Sequence, residues 1–243
     1  MRLLTLDIET APATALVWGI HKQHLGAHQI VEPVRMLSFA AKWYDDKRVF
    51  YADERNGRSQ MLTDLWALLD SADAVIHYNG TSFDIPHINR EFLLEGLEPP
   101  QPFAEIDLWR TVRSRFKFMS TKLDSVAGEL GIGHKVAHEG FDLWKKCLAG
   151  DEKAWGRMRR YNIQDVRLTE KLYTELRPWI KGHPSHNLVS GVGFSCPTCG
   201  SDSLTKRGVA RTKLSTFQRY QCSQCGSYSQ GNKRLNGVTV RSC

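Results

Sequence analysis

Short apolar runs alternate with longer segments of helical spacing along most of the chain. Residues 3–8 are apolar and end among carboxylates. Arg35–Trp43 is apolar and aromatic, and residues 48–51 resume the pattern after Asp45 and Asp46, the form of an antiparallel hairpin. Met61, Leu62, Leu65, Trp66 and Leu69 fall on one helical face and predict a helix over 61–69. A buried strand is expected at 74–77, a helix at 84–94 and an edge strand at 105–108. Thr121-Lys122-Leu123-Asp124 has the form of a capping box opening a helix through Leu130. The longest helix candidate is 152–176, stopped by Pro178. Strands first, then alternating helices and strands, predict an α/β fold with a mixed central sheet flanked by helices.

Composition narrows the class. The chain has 243 residues, 41% hydrophobic, enough to bury a core and to exclude overall disorder. No run approaches the ~18–20 apolar residues of a spanning helix, so no membrane association is expected. The opening MRLLTLDIETAP carries carboxylates where a signal peptide would stay apolar, so secretion is not expected and a cytoplasmic protein is. The formal charge is +7 but uneven: residues 1–186 hold 25 Lys and Arg against 25 Asp and Glu, and residues 187–243 hold eight cations against Asp202. That asymmetry points to nucleic acid or another polyanion. A Gly-, Pro-, Ser- and His-rich stretch suggests a plan of a large domain at 1–180, a linker at 181–193, a small domain at 194–235 and a tail at 236–243.

Four acids carry the candidate chemistry. Asp7 and Glu9 are two apart on the first strand and share a face. Asp84 follows Tyr78-Asn79-Gly80-Thr81-Ser82-Phe83, a turn leaving the strand 74–77. Asp165 lies in the long helix one turn after Tyr161, on the same face. Crowded carboxylates require cations to remain ionised, and hard oxygen donors suit Mg²⁺ or Mn²⁺. Two such ions ~3.5–4 Å apart suit phosphodiester hydrolysis.

Leu6-Asp7-Ile8-Glu9-Thr10, Asn79 through Asp84, and Tyr161-Asn162-Ile163-Gln164-Asp165 resemble the three motifs of the DnaQ-like 3′–5′ exonucleases of the ribonuclease H-like superfamily, in the tyrosine (DEDDy) variant. The resemblance covers about residues 1–178. It implies that Asp7 bridges two ions, that Glu9 and Asp165 hold the one activating the attacking water, and that Asp84 supports the other. Tyr161 would orient that water, since a phenol with a pKa near 10 is a poor base at neutral pH. Nucleoside 5′-monophosphates would leave one at a time from a 3′ end, most readily of single-stranded DNA. An exoribonuclease, a structure-specific endonuclease and a non-catalytic nucleic-acid-binding or recruitment protein are the alternatives. Thr10, Trp18, Asn79, Phe83 and Lys122 are further candidates for nucleic-acid contact, with core or solvated roles open for each. Asp124 is expected to cap a helix rather than bind metal. His77, His87, His134 and His138 show no ligand spacing.

Cys196-Pro-Thr-Cys199-Gly and Cys222-Ser-Gln-Cys225-Gly are two knuckles separated by 22 residues. Four thiolates so arranged suit one structural Zn²⁺ and look like a zinc ribbon; two disulfides or bound iron are the alternatives. Arg211, Lys213 and Arg219 interleave with Phe217 and Tyr220, a pattern that suits nucleic acid. Cys147 and Cys243 are expected to be free thiols. A replication or recombination protein is a further expected partner, and the resemblance to a nuclease joined to a ribbon suggests a bacterial or phage-infected host cytosol as the setting.

Overall fold

The computed structural model describes residues 1–19, 21, 24–137 and 139–240, so His138 and Cys243 lie outside the described residues. The chain divides into two compact units, one over Arg2–Leu172 and one from Tyr173 onward.

The first unit is built on a five-stranded sheet. Its strands are β1 (Leu3–Ala11), β4 (Arg35–Trp43), β5 (Phe50–Asp53), β6 (Ala74–His77) and β7 (Ala104–Asp107); a small pair, β2 (Thr14–Ala15) and β3 (Ile30–Glu32), lies outside it. The order is β5-β4-β1-β6-β7. β4 pairs antiparallel with β1 and β5, while β1–β6 and β6–β7 are parallel, so the sheet is mixed as the pattern predicts. β1 and β4 are apolar on both faces because both faces are covered by helices. Leu4, Leu6, Ile8 and Phe39 pack on one side with Met61, Leu62, Leu65 and Leu69 of α1 (Arg58–Asp70) and Ile85, Ile88 and Phe92 of α2 (Asp84–Glu95). On the other side Ala11 and Leu37 meet Leu143 and Cys147 of α5 (Phe141–Leu148) and Ala154, Trp155, Met158 and Tyr161 of α6 (Glu152–Leu176).

Two shorter helices complete the unit: α3 (Leu108–Arg115) and α4 (Leu123–Glu129). The capping box expected over Thr121–Asp124 does not form. Lys122, not Thr121, stands at the N-cap of α4 and makes no side-chain cap bond. Thr121 is engaged instead by Tyr78 and Trp109, and the Asp124 carboxylate accepts the backbone N–H of Lys135 at 2.7 Å.

The second unit carries α7 (His186–Ser190) and an antiparallel sheet β8 (Leu204–Arg211), β9 (Ser215–Cys222) and β10 (Tyr228–Gly237) in the order β10-β9-β8. Its buried centre is small, made of the cysteines and Leu204. Among the described residues no helix is long and apolar enough to cross a membrane.

Candidate metal and nuclease site

The acids arrive on three elements. β1 delivers Asp7 and Glu9 to one face, and a bulge between Glu9 and Thr10, where pairing jumps from Ser38 to Met36, reshapes the strand beside them. The turn after β6 delivers Asp84. Asn79 holds a left-handed backbone there (φ 67°), and Gly80 is compressed against His77: a Cβ at Gly80 would lie 2.4 Å from the His77 ring. His77 Nδ1 accepts the Gly80 N–H at 3.0 Å, so this buried histidine is a brace for the turn. α6 delivers Tyr161 and Asp165. It starts on Asp151, whose carboxylate accepts the N–H groups of Lys153 and Ala154 at 2.8 and 3.1 Å.

The result is a cluster in which Asp7, Glu9 and Asp165 offer oxygens all within 4.8 Å of one another. Glu9, Asp84 and Asp165 are buried. Asp84 stands against the strand rather than in that triad: its Oδ1 accepts the N–H of Ile8, between the other two acids, at 3.1 Å. Burial pushes the Asp7 carboxyl well above its ordinary range, and repulsion from Asp165, Glu9 and Asp84 adds to the shift. Glu9 is pushed up to about 8 by burial and then by Asp165. Asp84 is pushed up to about 6, again chiefly by burial. These acids resist ionisation together, as crowded and buried carboxylates do where no cation offsets their charge. An all-oxygen set of this kind fits Mg²⁺ or Mn²⁺.

Two residues of the site escape a reading of the sequence. Lys135 Nζ lies 2.5 Å from Asp165 Oδ2 and donates to Tyr161 Oη at 2.8 Å. Burial opposes its charge, but Asp165 and Tyr161 outweigh that, so it stays an ammonium. Asn162 is fully buried; its Nδ2 donates to Asp7 Oδ2 at 2.6 Å and to the Asp7 carbonyl at 3.2 Å, while its Oδ1 accepts from Ser38 Oγ at 3.2 Å. Asn162 could have been suspected from its place beside Tyr161. Lys135 gives no signal, sitting in a patternless loop. Burial raises the Tyr161 phenol above its usual pKa, and Asp165 adds to this, so it keeps its proton at neutral pH.

The remaining candidates divide. Thr10 and Phe83 line a pocket of ≈ 410 Å³ with Glu9, Pro12, Gly140, Phe141 and Trp144, directly beside the cluster. Phe83 is 41% exposed, so it is a pocket wall rather than core. Trp18 is fully exposed, and Lys122 is exposed at the start of α4. The backbone N–H of Asn79 donates to Asp107 Oδ1 at 2.9 Å.

In the second unit, Cys196, Cys199, Cys222 and Cys225 place their sulfurs within 4.8 Å of one another. The pairs Cys196–Cys225 and Cys199–Cys222 stand at 3.6 and 3.7 Å. A disulfide needs ~2.05 Å. A tetrahedron with Zn–S near 2.3 Å has edges of about 3.8 Å. The four thiols are therefore free and fit a tetrahedral metal. Arg211, Lys213 and Arg219 are exposed, and Phe217 is half-buried. Tyr220 packs edge-on against Phe194 at 5.4 Å. Arg219 joins Lys206, Arg207, Gly208 and Tyr228 around an open groove of ≈ 820 Å³.

A mixed sheet with acids gathered on its central strand, on the turn after its neighbour and on a covering helix defines a nuclease fold of the ribonuclease H type. Residues 31–177 match the RNase_H_2 family, described as RNase_H superfamily, and the chain belongs to that superfamily. The match takes in Asp84, Tyr161 and Asp165 and begins after Asp7 and Glu9. The chain is also similar to DNA polymerase 1 of Aeropyrum pernix, 29% identical over 129 residues, 47% of this chain and 13% of that protein. A solved family B DNA polymerase from Pyrobaculum calidifontis shares the fold, with a TM-score of 0.52 and 20% identity over 73% of this chain and 24% of that one. The chain thus spans only a small part of the length of either polymerase.

Proposed function

We propose that the chain is a metal-dependent 3′–5′ exonuclease of the DnaQ-like, DEDDy type acting on single-stranded DNA. The observation that carries this reading is the convergence of Asp7, Glu9 and Asp165 within 4.8 Å, with Tyr161 one helical turn before Asp165. Asp7, Glu9, Asp84 and Asp165 would hold two Mg²⁺ or Mn²⁺ ions. Bound there, the ions would supply the Lewis acidity that activates water and stabilises the leaving oxygen. Tyr161 keeps its proton and acts by hydrogen bonding, orienting the attacking water rather than deprotonating it. Lys135 steadies both Tyr161 and Asp165 through its ammonium group. Asn162 fixes the Asp7 carboxylate from behind.

The pocket beside Glu9 favours an end over an internal linkage. Its apolar walls, Phe83, Phe141 and Trp144, suit one unpaired terminal base, with Thr10 at the rim. Likeness to part of a DNA polymerase supports DNA and a replication or repair setting, where editing removes nucleotides from a strand end. The cysteine module would hold one structural Zn²⁺ as a ribbon, in a reducing cytosolic compartment that keeps thiols free. Its groove of Lys206, Arg207, Arg219 and Tyr228 would bind the same strand electrostatically.

The test is product identity. Strands of DNA and RNA labelled at the 3′ or the 5′ end are incubated with the protein and Mg²⁺. The reading predicts early release of the 3′ label as a mononucleotide and a descending ladder from the 5′ label. Internal fragments from the outset would identify an endonuclease. Preference for RNA would correct the substrate, and no divalent-dependent product would leave a binding protein.

A further inference from the structure

Residues 1–186 are formally neutral, yet one stretch within them is strongly basic. Between Asp107 and Asp124 lie sixteen residues with Arg110, Arg113, Arg115, Lys117 and Lys122 and no acid. α3 ends at Arg115, and the chain leaves it extended, with φ −129° and ψ 162° at Phe116. From 115 to 119 the side chains alternate: Arg115, Lys117 and Met119 are exposed, while Phe116 and Phe118 are half-buried with ring centroids 5.6 Å apart. Extended backbone sends alternate side chains to opposite sides, with same-side neighbours about 6.6 Å apart. The phenyl pair therefore anchors the segment and leaves its cations in water. Among the described residues Arg113, Arg115, Lys117 and Lys122 have no carboxylate within 4 Å; Arg110 reaches only Asp107, at 3.8 Å.

The segment is tied to the turn that carries Asp84. Tyr78 Oη donates to the Thr121 carbonyl at 2.5 Å, and Trp109 Nε1 donates to Thr121 Oγ1 at 3.3 Å. Asp107 Oδ1 accepts both the Asn79 N–H at 2.9 Å and the Trp109 N–H at 3.0 Å. One carboxylate oxygen thus locks the base of the basic segment to the loop of the acidic cluster.

We propose that Arg113, Arg115 and Lys117 form a phosphate-binding rail that holds a single strand of nucleic acid as it approaches the carboxylate cluster. The proposal rests on the reading of that cluster as one that receives a strand end. Arg113 and Arg115 on the last turn of α3, Arg113 also over the Trp109 ring at 5.0 Å, and Lys117 on the extended chain just beyond it are exposed cations without a carboxylate partner, a charge that suits the phosphates of a single strand. Their salt-sensitive attraction offsets the repulsion the strand meets from the acids.

The experiment is fluorescence anisotropy with a labelled single-stranded 20-mer and the full chain carrying Asp7→Ala, in divalent-free buffer at several salt concentrations. The readout is binding, so it stands whether or not the protein hydrolyses DNA. Single-strand contacts each add about 0.7 to the slope of log K against log salt, so Arg113→Ala/Arg115→Ala/Lys117→Ala should lower it by about 2. Affinity at low salt should fall at least tenfold. Arg113→Lys/Arg115→Lys, which keeps the charge, should retain the slope, which separates lost charge from lost folding. Lys47→Ala/Lys153→Ala/Arg167→Ala, an equal loss of exposed charge elsewhere, should leave the slope as it was. An unchanged slope in the first triple variant, an equal fall in the control, or a fall in the lysine variant as large as in the alanine one overturns the proposal. Retained strand affinity with capture of an acidic protein by the intact segment would assign the surface to a protein partner and overturn it too.

Discussion

Glu9 shows how the cluster responds to its surroundings. Its carboxyl is pushed up to about 8 by burial and by Asp165, against an unfolded value near 4.3. Between those values the folded chain holds a proton that the unfolded chain has lost, so this group lowers stability as pH rises through the window. In buffer stripped of divalent ions, the thermal midpoint of the wild type should fall between pH 5 and pH 9 more steeply than that of Glu9→Gln. Added Mg²⁺ or Mn²⁺ should raise the wild-type midpoint more at pH 8.5 than at pH 6, because binding there displaces fewer protons. Differential scanning calorimetry reads both effects; parallel curves for the two proteins would refute the assignment of the shift to this site. At the same scale, the placement of Asp7, Glu9, Asp84, Tyr161 and Asp165 on strand, turn and helix was legible because they sit in compact motifs with strand and helix spacing. Lys135 was not: its partners, Tyr161 and Asp165, lie 26 and 30 residues further along α6, and a lone lysine among glycines reads as solvated.

Elements were most legible where periodicity was long or runs were apolar on both faces. α6 follows its 3.6-residue pattern through Trp155, Met158, Tyr161, Asp165, Leu168 and Leu172. α3 and α5 were not foreseen. α3 is only eight residues, basic along much of its surface, and held by Asp107 accepting the Trp109 N–H. α5 follows Gly140, whose positive φ of 63° starts the chain in a new direction, a backbone event with no apolar signal. The capping box failed because Thr121 is recruited by Tyr78 and Trp109, contacts from distant sequence that outweigh a local cap. In the cysteine module the alternation of β8–β10 is weak, and so small a buried centre would leave a bound metal to organise the strands. Elemental analysis of the full chain should find one Zn²⁺ per molecule. Cys199→Ser or Cys225→Ser should lose it and expose the remaining thiols to thiol reagents. Iron instead of zinc, or full zinc occupancy in both variants, would contradict the ribbon.

On the scale of the whole chain, net charge was a true but coarse guide. The +7 belongs to the last quarter of the sequence, yet the neutral remainder conceals a segment of five cations and a buried cluster of acids. Summation hid both, because opposite charges cancel in a total and separate only when the fold assigns each to a surface. The superfamily follows from the family match; the proposed chemistry rests on Asp7, Glu9 and Asp165 meeting within 4.8 Å, with Asp84 bonded to the strand between the first two. Those carboxylates are proposed to support divalent-dependent removal of nucleotides from a 3′ end. The most direct test is the rate of label release from 3′-labelled single-stranded DNA with Mg²⁺ by the wild type, Asp7→Ala and Asp165→Ala, each checked for folding by circular dichroism. Mononucleotide release by the wild type and a loss of at least about a thousandfold in both variants, with the fold retained, are expected. Wild-type rates in a folded Asp165→Ala protein would contradict this proposal.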